Sequence, residues 1–161
     1  MKEEKQLKVS AIKNGTVIDH IPSGNLFKVV EILSLNRCKS QLTLGNNLES
    51  KRLGTKAIIK VADRFFADDE MNRIALVAPQ AKFNIIKGYE VMEKRTVELP
   101  DAIVGIAKCI NPMCVTNHQP IPTKFNVISK KDVLLQCCYC DKINDQEHLV
   151  IITKRSIEAL N

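Results

Sequence analysis

Cys109-Ile-Asn-Pro-Met-Cys114 and Cys137-Cys-Tyr-Cys140 are the two stretches from which the rest of the chain can be read, with 22 residues between them. Two short cysteine loops make a tetrahedral thiolate site the natural reading. Zinc favours four soft ligands in a closed shell, and short loops let backbone N–H groups turn toward the sulfurs. The residues between read as a β excursion: Phe125–Ser129, a Lys-Lys-Asp turn, then Val133–Gln136. Such an excursion returns the chain to its start, as closing a two-knuckle site requires. Cys109, Cys114, Cys137 and Cys140 are therefore the expected ligands of one structural zinc per chain. Cys138 lies inside the second knuckle, but the CxxC spacing belongs to Cys137 and Cys140. His118 and His148 could substitute, yet four thiolates already fill the shell, which leaves no open position for catalysis. Free or disulfide-bonded thiols are the alternative. Disulfides suit secreted chains, and Met1-Lys-Glu-Glu-Lys-Gln6 lacks the apolar core of a secretion signal.

No 18-residue apolar run is present for a membrane span, so a soluble, cytoplasmic protein is expected. The formal net charge of +6 raises the question of nucleic acid. Residues 1–100 hold 17 Lys/Arg against 12 Asp/Glu, and residues 101–161 hold 7 against 6. Four thiolates and one Zn²⁺ would turn the cysteine half slightly negative. A zinc ribbon that grips phosphates needs its basic residues around the metal, with aromatics for stacking. Only Phe125 and Tyr139 are aromatic there. A thiol oxidoreductase using Cys137 and Cys140 would need a thioredoxin-like βαβ context, whereas the flanking segments read as antiparallel β.

The first hundred residues read as strands and two helices. Residues 7–12 alternate, and Asn14-Gly15 is a hairpin signal leading into a strand over Gly15–Ile21. Ser23 is an expected N-cap for a helix with Leu26, Val29, Val30 and Leu33 on one face. Gln41–Leu44 reads as a strand, Gly45-Asn-Asn47 as a turn, 49–54 as a polar loop, and Thr55–Val61 as a strand. Asp68-Asp-Glu70 opens a second helix that Pro79 stops. Ala81–Ile86 and Tyr89–Met92 follow as strands around Lys87-Gly88, and Glu98–Asp101 is the expected linker. The order ββαββαββ predicts an α+β protein. Its N-terminal part, 1–99, is a ferredoxin-like antiparallel sheet with two helices, and 100–161 is a small antiparallel β zinc domain.

Alternation over 55–61 puts Lys56, Ile58 and Lys60 on one face of the sheet. Asp19-His20 ends one strand and Lys94 follows another, so neighbouring strands could gather a cationic pocket with one carboxylate, suited to a polyphosphate. A solvated basic face is the plain alternative. No glycine-rich phosphate loop is present. Lys94 has opposite parity to Tyr89 and Val91, so a bulge must re-aim it.

Across essentially its whole length the sequence resembles the regulatory chain of aspartate carbamoyltransferase. The resemblance rests on Gly15–Pro22, Leu26-Phe-Lys28, Leu42–Gly45, Ile58–Val61, Ala78-Pro-Gln-Ala81, Tyr89-Glu-Val91 and the CxxxxC/CxxC pair. It implies a non-catalytic allosteric subunit in pyrimidine biosynthesis, binding nucleoside triphosphates such as CTP, UTP and ATP. It also implies regulatory homodimers whose zinc domain docks on the catalytic chain. By the same resemblance, base and ribose lie near Val9, Ile12, Lys60, Tyr89 and Val91. The phosphates lie near His20, Asn84 and Lys94, with Asp19 and Lys56 at the pocket edge. Departures from the family pattern are Cys138, the loop 49–54 and a longer C-terminal tail.

Overall fold

The computed structural model describes residues 11–152. The first part of it runs β1 (Gly15–Pro22), α1 (Leu26–Ile32), β2 (Leu42–Ser50), β3 (Gly54–Ala62), α2 (Asp68–Arg73), β4 (Lys82–Lys87) and β5 (Glu90–Thr96). These strands form one antiparallel sheet of order β2-β3-β1-β4-β5. β3 lies between β1 and β2, which is the split βαβ arrangement of ferredoxin-like folds, and β5 extends the outer edge.

One face of this sheet is the core. Ile18, Ile21, Ala57, Ile59, Val61 and Phe83 are all fully buried, and Leu26, Val29, Val30 and Leu33 of the first helical stretch close over them. Met71, Ile74 and Leu76 add the second helix, and Phe66 meets Phe83 edge-to-face with centroids 6.0 Å apart. Each of the larger side chains among them contributes about 1.5–3 kcal/mol by leaving water. Gly15 is fixed by backbone contact: its φ is +141°, and a Cβ there would sit 2.1 Å from the Val61 carbonyl oxygen.

Three bulges aim side chains in ways a simple alternation misses. In β1, Ile18 pairs with Ile59 and Ile21 with Ala57, so β1 carries an extra residue, and His20 takes φ 60°. Ile18 and Ile21 both turn inward as a result, while Asp19 stays on the opposite face. In β5, Glu93 pairs with Ile85 but Val91 with Ile86, which supplies the re-aiming that the parity of Lys94 demands. In β2, Gly45 pairs with Ile58 and Leu48 with Lys56, with Asn47 at φ 57°.

The expected turn at Gly45-Asn-Asn47 is thus a bulge inside β2, and the true turn is 51–53. Asn47 supplies the left-handed conformation that its residue type tolerates. Ser23 is no N-cap: it lies in a 3₁₀ turn, and its Oγ donates to Thr55 Oγ1 at 2.9 Å. The cap position of α1 is Asn25, without a side-chain cap bond. Of the strand expected over 7–12, residues 7–10 lie outside the described residues, and Ala11 and Ile12 form no strand.

The second part contains β6 (Ala102–Val104), β7 (Ala107–Lys108), β8 (Lys124–Ser129), β9 (Leu134–Cys137), β10 (Ile143–Asn144) and β11 (Val150–Ile151). The order β10-β9-β8-β6 makes one antiparallel sheet, and β7 pairs with β11. Within the segment expected as a linker, Glu98–Asp101, Leu99 is buried while Glu98 and Asp101 are exposed. Val97 and Leu99 are buried, and through Ile103 the apolar core continues to Phe125, Leu135, Leu149 and Ile151.

Candidate functional site

Cys109 follows β7, Cys114 closes the first loop, Cys137 ends β9, and Cys140 closes the turn after it. The excursion β8–β9 returns the second knuckle to the first, and the four Sγ atoms all lie within 4.8 Å of one another. Cys109 and Cys140 are 3.6 Å apart, and Cys114 and Cys137 3.7 Å. A disulfide needs about 2.05 Å. A tetrahedron with metal–sulfur bonds of about 2.3 Å has edges of about 3.8 Å, so the donor set fits one tetrahedral ion. Cys138 is exposed and outside the cluster.

Backbone and side chains around the thiols follow the knuckle logic. N–H groups of Asn111, Tyr139, Cys140 and Lys142 point at sulfur. Burial, with Cys140 and Cys137 alongside, pushes the Cys109 thiol up to about 12 against the Asn111 N–H, and burial also raises Cys137. Burial acts the same way on Cys140, but Asn111 and the Lys142 N–H hold it down to about 7. A bound dication reverses such costs by deprotonating each ligand outright.

Residues that spacing rules do not reveal support the ligands. Fully buried Asn144 accepts from the Ile110 N–H at 2.8 Å, donates to the Lys142 carbonyl at 2.9 Å, and lies 4.0 Å from Cys109 Sγ. Asn117 donates to the carbonyls of Cys109 and Asn111, and Thr116 Oγ1 is 3.2 Å from Cys114 Sγ. Their signal in the sequence is only that Thr116 and Asn117 follow the first knuckle and Asn144 follows the second by a few residues.

The second constellation lies on the sheet face away from the helices. Register places Lys60 opposite Val17, Val17 opposite Asn84, and Asn84 opposite Lys94. Directly opposed residues share a face, so these four form one row across four strands. One step toward the β4–β5 turn, Gly15, Ile86 and Val91 form the next row. The Lys13 carbonyl accepts from the Tyr89 N–H at 2.9 Å, which brings Ile12 and Tyr89 to that same end. One step the other way, Asp19 faces Lys82, a cation the sequence reading missed although its parity matches Asn84. Val9 lies outside the described residues.

At the bulge, Asp19 accepts from Lys56 Nζ at 2.9 Å and from the His20 N–H at 2.7 Å. The Nδ1 atom of His20 is buried without a hydrogen-bond partner, and Asp19 Oδ2 is 3.7 Å away. Burial alone would raise the Asp19 carboxyl; the Lys56 hydrogen bond, the His20 N–H and both positive charges hold it below its usual 3.8. A depressed carboxylate contributes stability that is complete above the ordinary carboxylate range and lost as pH falls through the folded value. Asp19→Asn is therefore expected to flatten the acid limb of the stability–pH profile. Urea melts from pH 7 to pH 3 check this, and acid limbs of equal slope in both proteins would refute it.

The model of the family described as aspartate carbamoyltransferase regulatory chain, allosteric domain, matches residues 7–98. The model for the metal binding domain of the same chain matches residues 101–150. An aspartate carbamoyltransferase regulatory chain of Bacteroides thetaiotaomicron is 54% identical over 153 residues, covering 94% of this chain and 100% of its own. One of Parabacteroides distasonis is 47% identical over 149 residues (92% and 97%). One of Pyrococcus abyssi is 50% identical over 147 residues (90% and 97%).

Proposed function

Because this chain belongs to the family of aspartate carbamoyltransferase regulatory chains, we propose that nucleoside triphosphates bind its open sheet face and control a catalytic partner held by a zinc-bearing module. It is a regulatory chain with an allosteric and a metal-binding domain, not a catalytic subunit, and it associates with the catalytic chain. The two units are assigned to 1–99 and 100–161. The observation that carries the effector reading is the row Lys60–Val17–Asn84–Lys94, flanked by an apolar end and a charged end. Two residues along a strand advance about 6.8 Å, so the three rows offer a strip suited to an elongated ligand. Ile12, Tyr89 and Val91 take the base and ribose, together with Val9 and Lys60. His20, Asn84 and Lys94 take the phosphates, with Asp19 and Lys56 at the edge. CTP, UTP and ATP are the effectors proposed.

Cys109, Cys114, Cys137 and Cys140 are assigned to one zinc, whose chemistry there is cross-linking rather than catalysis. Met113, Val115, Tyr139 and Ile143 are exposed apolar residues on or beside the two knuckles, which supports docking of the catalytic chain on this surface. A groove of about 510 Å³, lined by Lys108, Ile110, Pro112, Asn117, His148 and Val150, opens beside it. Among the described residues the nine-residue strand β2 pairs on one side only, which supports a homodimer of regulatory chains. A cytoplasmic role in pyrimidine biosynthesis follows, without nucleic acid as partner. No described helix is long and apolar enough to cross a membrane.

The test is reconstitution with the catalytic chain, followed by titration of CTP, UTP and ATP at sub-saturating aspartate. Effector coupling of about 1–3 kcal/mol is expected, seen as a shift in substrate affinity. A complex that assembles and ignores all three nucleotides would exclude the effector role.

A further inference from the structure

A hydrogen bond joins the two parts of the molecule, and a second stands beside it within the first part. Gln146 Nε2 donates to the Leu76 carbonyl at 3.3 Å, and Asn25 Nδ2 donates to the Val77 carbonyl at 2.7 Å. Both acceptors lie in the turn that ends the second helical segment, where carbonyls run out of helical partners. Val77 and Ala78 direct their N–H groups to the Ile74 carbonyl instead. Donors from elsewhere must therefore satisfy Leu76 and Val77, and they come from opposite directions.

Asn25 stands five residues after His20 in the sequence, at the entry to α1, so it follows the Asp19–His20 bulge directly. Gln146 stands two residues after Asn144, the buried amide that braces the Ile110 N–H beside Cys109. Covalent chain and these hydrogen bonds together thus lead from the charged end of the sheet face, through carbonyls 77 and 76, to the first cysteine knuckle. Apolar packing also spans the halves, but it tolerates small sliding. A hydrogen bond to a fixed carbonyl is directional and weakens as its angle departs from linear.

We infer that Gln146 and Asn25, gripping the adjacent carbonyls of Leu76 and Val77, form a polar joint that transmits the state of the sheet face to the metal module. Both are positioning residues; neither belongs to the residues assigned above to effector or metal. The inference rests on the effector reading above, and its experiment separates the two. The full complex with the catalytic chain is prepared with wild type, Gln146→Met, Gln146→Lys, Asn25→Leu and the double variant Asn25→Leu/Gln146→Met. Methionine keeps the length of glutamine and removes the donor, whereas lysine keeps a donor. Four readouts are taken: zinc content, assembly by gel filtration, CTP affinity by calorimetry, and the CTP-induced change in substrate affinity.

Gln146→Met is expected to keep zinc, assembly and CTP affinity while the CTP effect on substrate affinity falls about five-fold, the equivalent of one typical hydrogen bond. Gln146→Lys restores most of it. The double variant loses no more than the larger single loss, since the two contacts act in series. A Gln146→Met complex with an undiminished CTP effect overturns the joint. So does a loss that appears only together with loss of zinc or assembly, because Gln146 is then merely structural. A wild-type complex that does not respond to CTP overturns the effector reading itself, and the joint with it.

Discussion

Cys109→Ala and Cys140→Ala are each expected to lose the metal and, with it, the folded state of the C-terminal module. Structural zinc sites contribute apparent free energies of about 10–16 kcal/mol at neutral pH, with binding and folding inseparable. The strands around the cysteines run from two to six residues, and they cannot replace that contribution with a core of their own. Cys138→Ala should keep the metal, because its thiol is exposed and outside the cluster. Metal analysis and near-ultraviolet dichroism report both points. Zinc lost from the Cys138 variant and kept in the Cys140 variant would reassign the second knuckle. A mercurial should act as the cysteine variants do and release the catalytic chain, since it takes up thiolates without reproducing a tetrahedral cross-link.

The second large effect concerns the cationic row. Lys60→Ala/Lys94→Ala is expected to weaken CTP binding by about 3 kcal/mol or more, roughly 150-fold, if each lysine gives one charge-assisted hydrogen bond. The two residues stand on β3 and β5, with β1 and β4 between them, so each single variant should show a separate part of the loss. Zinc content and assembly are the controls, because neither lysine belongs to the four-cysteine cluster. Calorimetric affinities within a factor of two of wild type would remove the row from the effector site.

Much of this was legible in the residues because the physics is local. Two cysteine spacings and a returning excursion define a closed thiolate shell without any knowledge of the remaining fold. The 26/29/30/33 stripe and the 57/59/61 alternation each name a buried face, and both are buried. What escaped reading was backbone conformation that only tertiary pairing selects. Asn47 belongs to a residue type common in turns, yet β3 continues past it and converts the turn into a bulge. Ser23 is a good cap residue, but Thr55 offers its hydroxyl a different partner. Lys82 shares the parity of Asn84, but only register sets it opposite Asp19. Asn144 has the same history, since its value lies in contacts more than thirty residues away.

The burial of Val97 and Leu99 has a mechanical meaning. A solvated tether between two bodies is compliant: it absorbs a displacement at one end and delivers little at the other. Here the connecting segment is held by Val97 and Leu99, whose side chains are buried in the core that runs through both parts, and close-packed interiors have low compressibility. Burial of these residues keeps the two parts from swinging as free bodies, which leaves only small sliding displacements for the polar contacts between them to register.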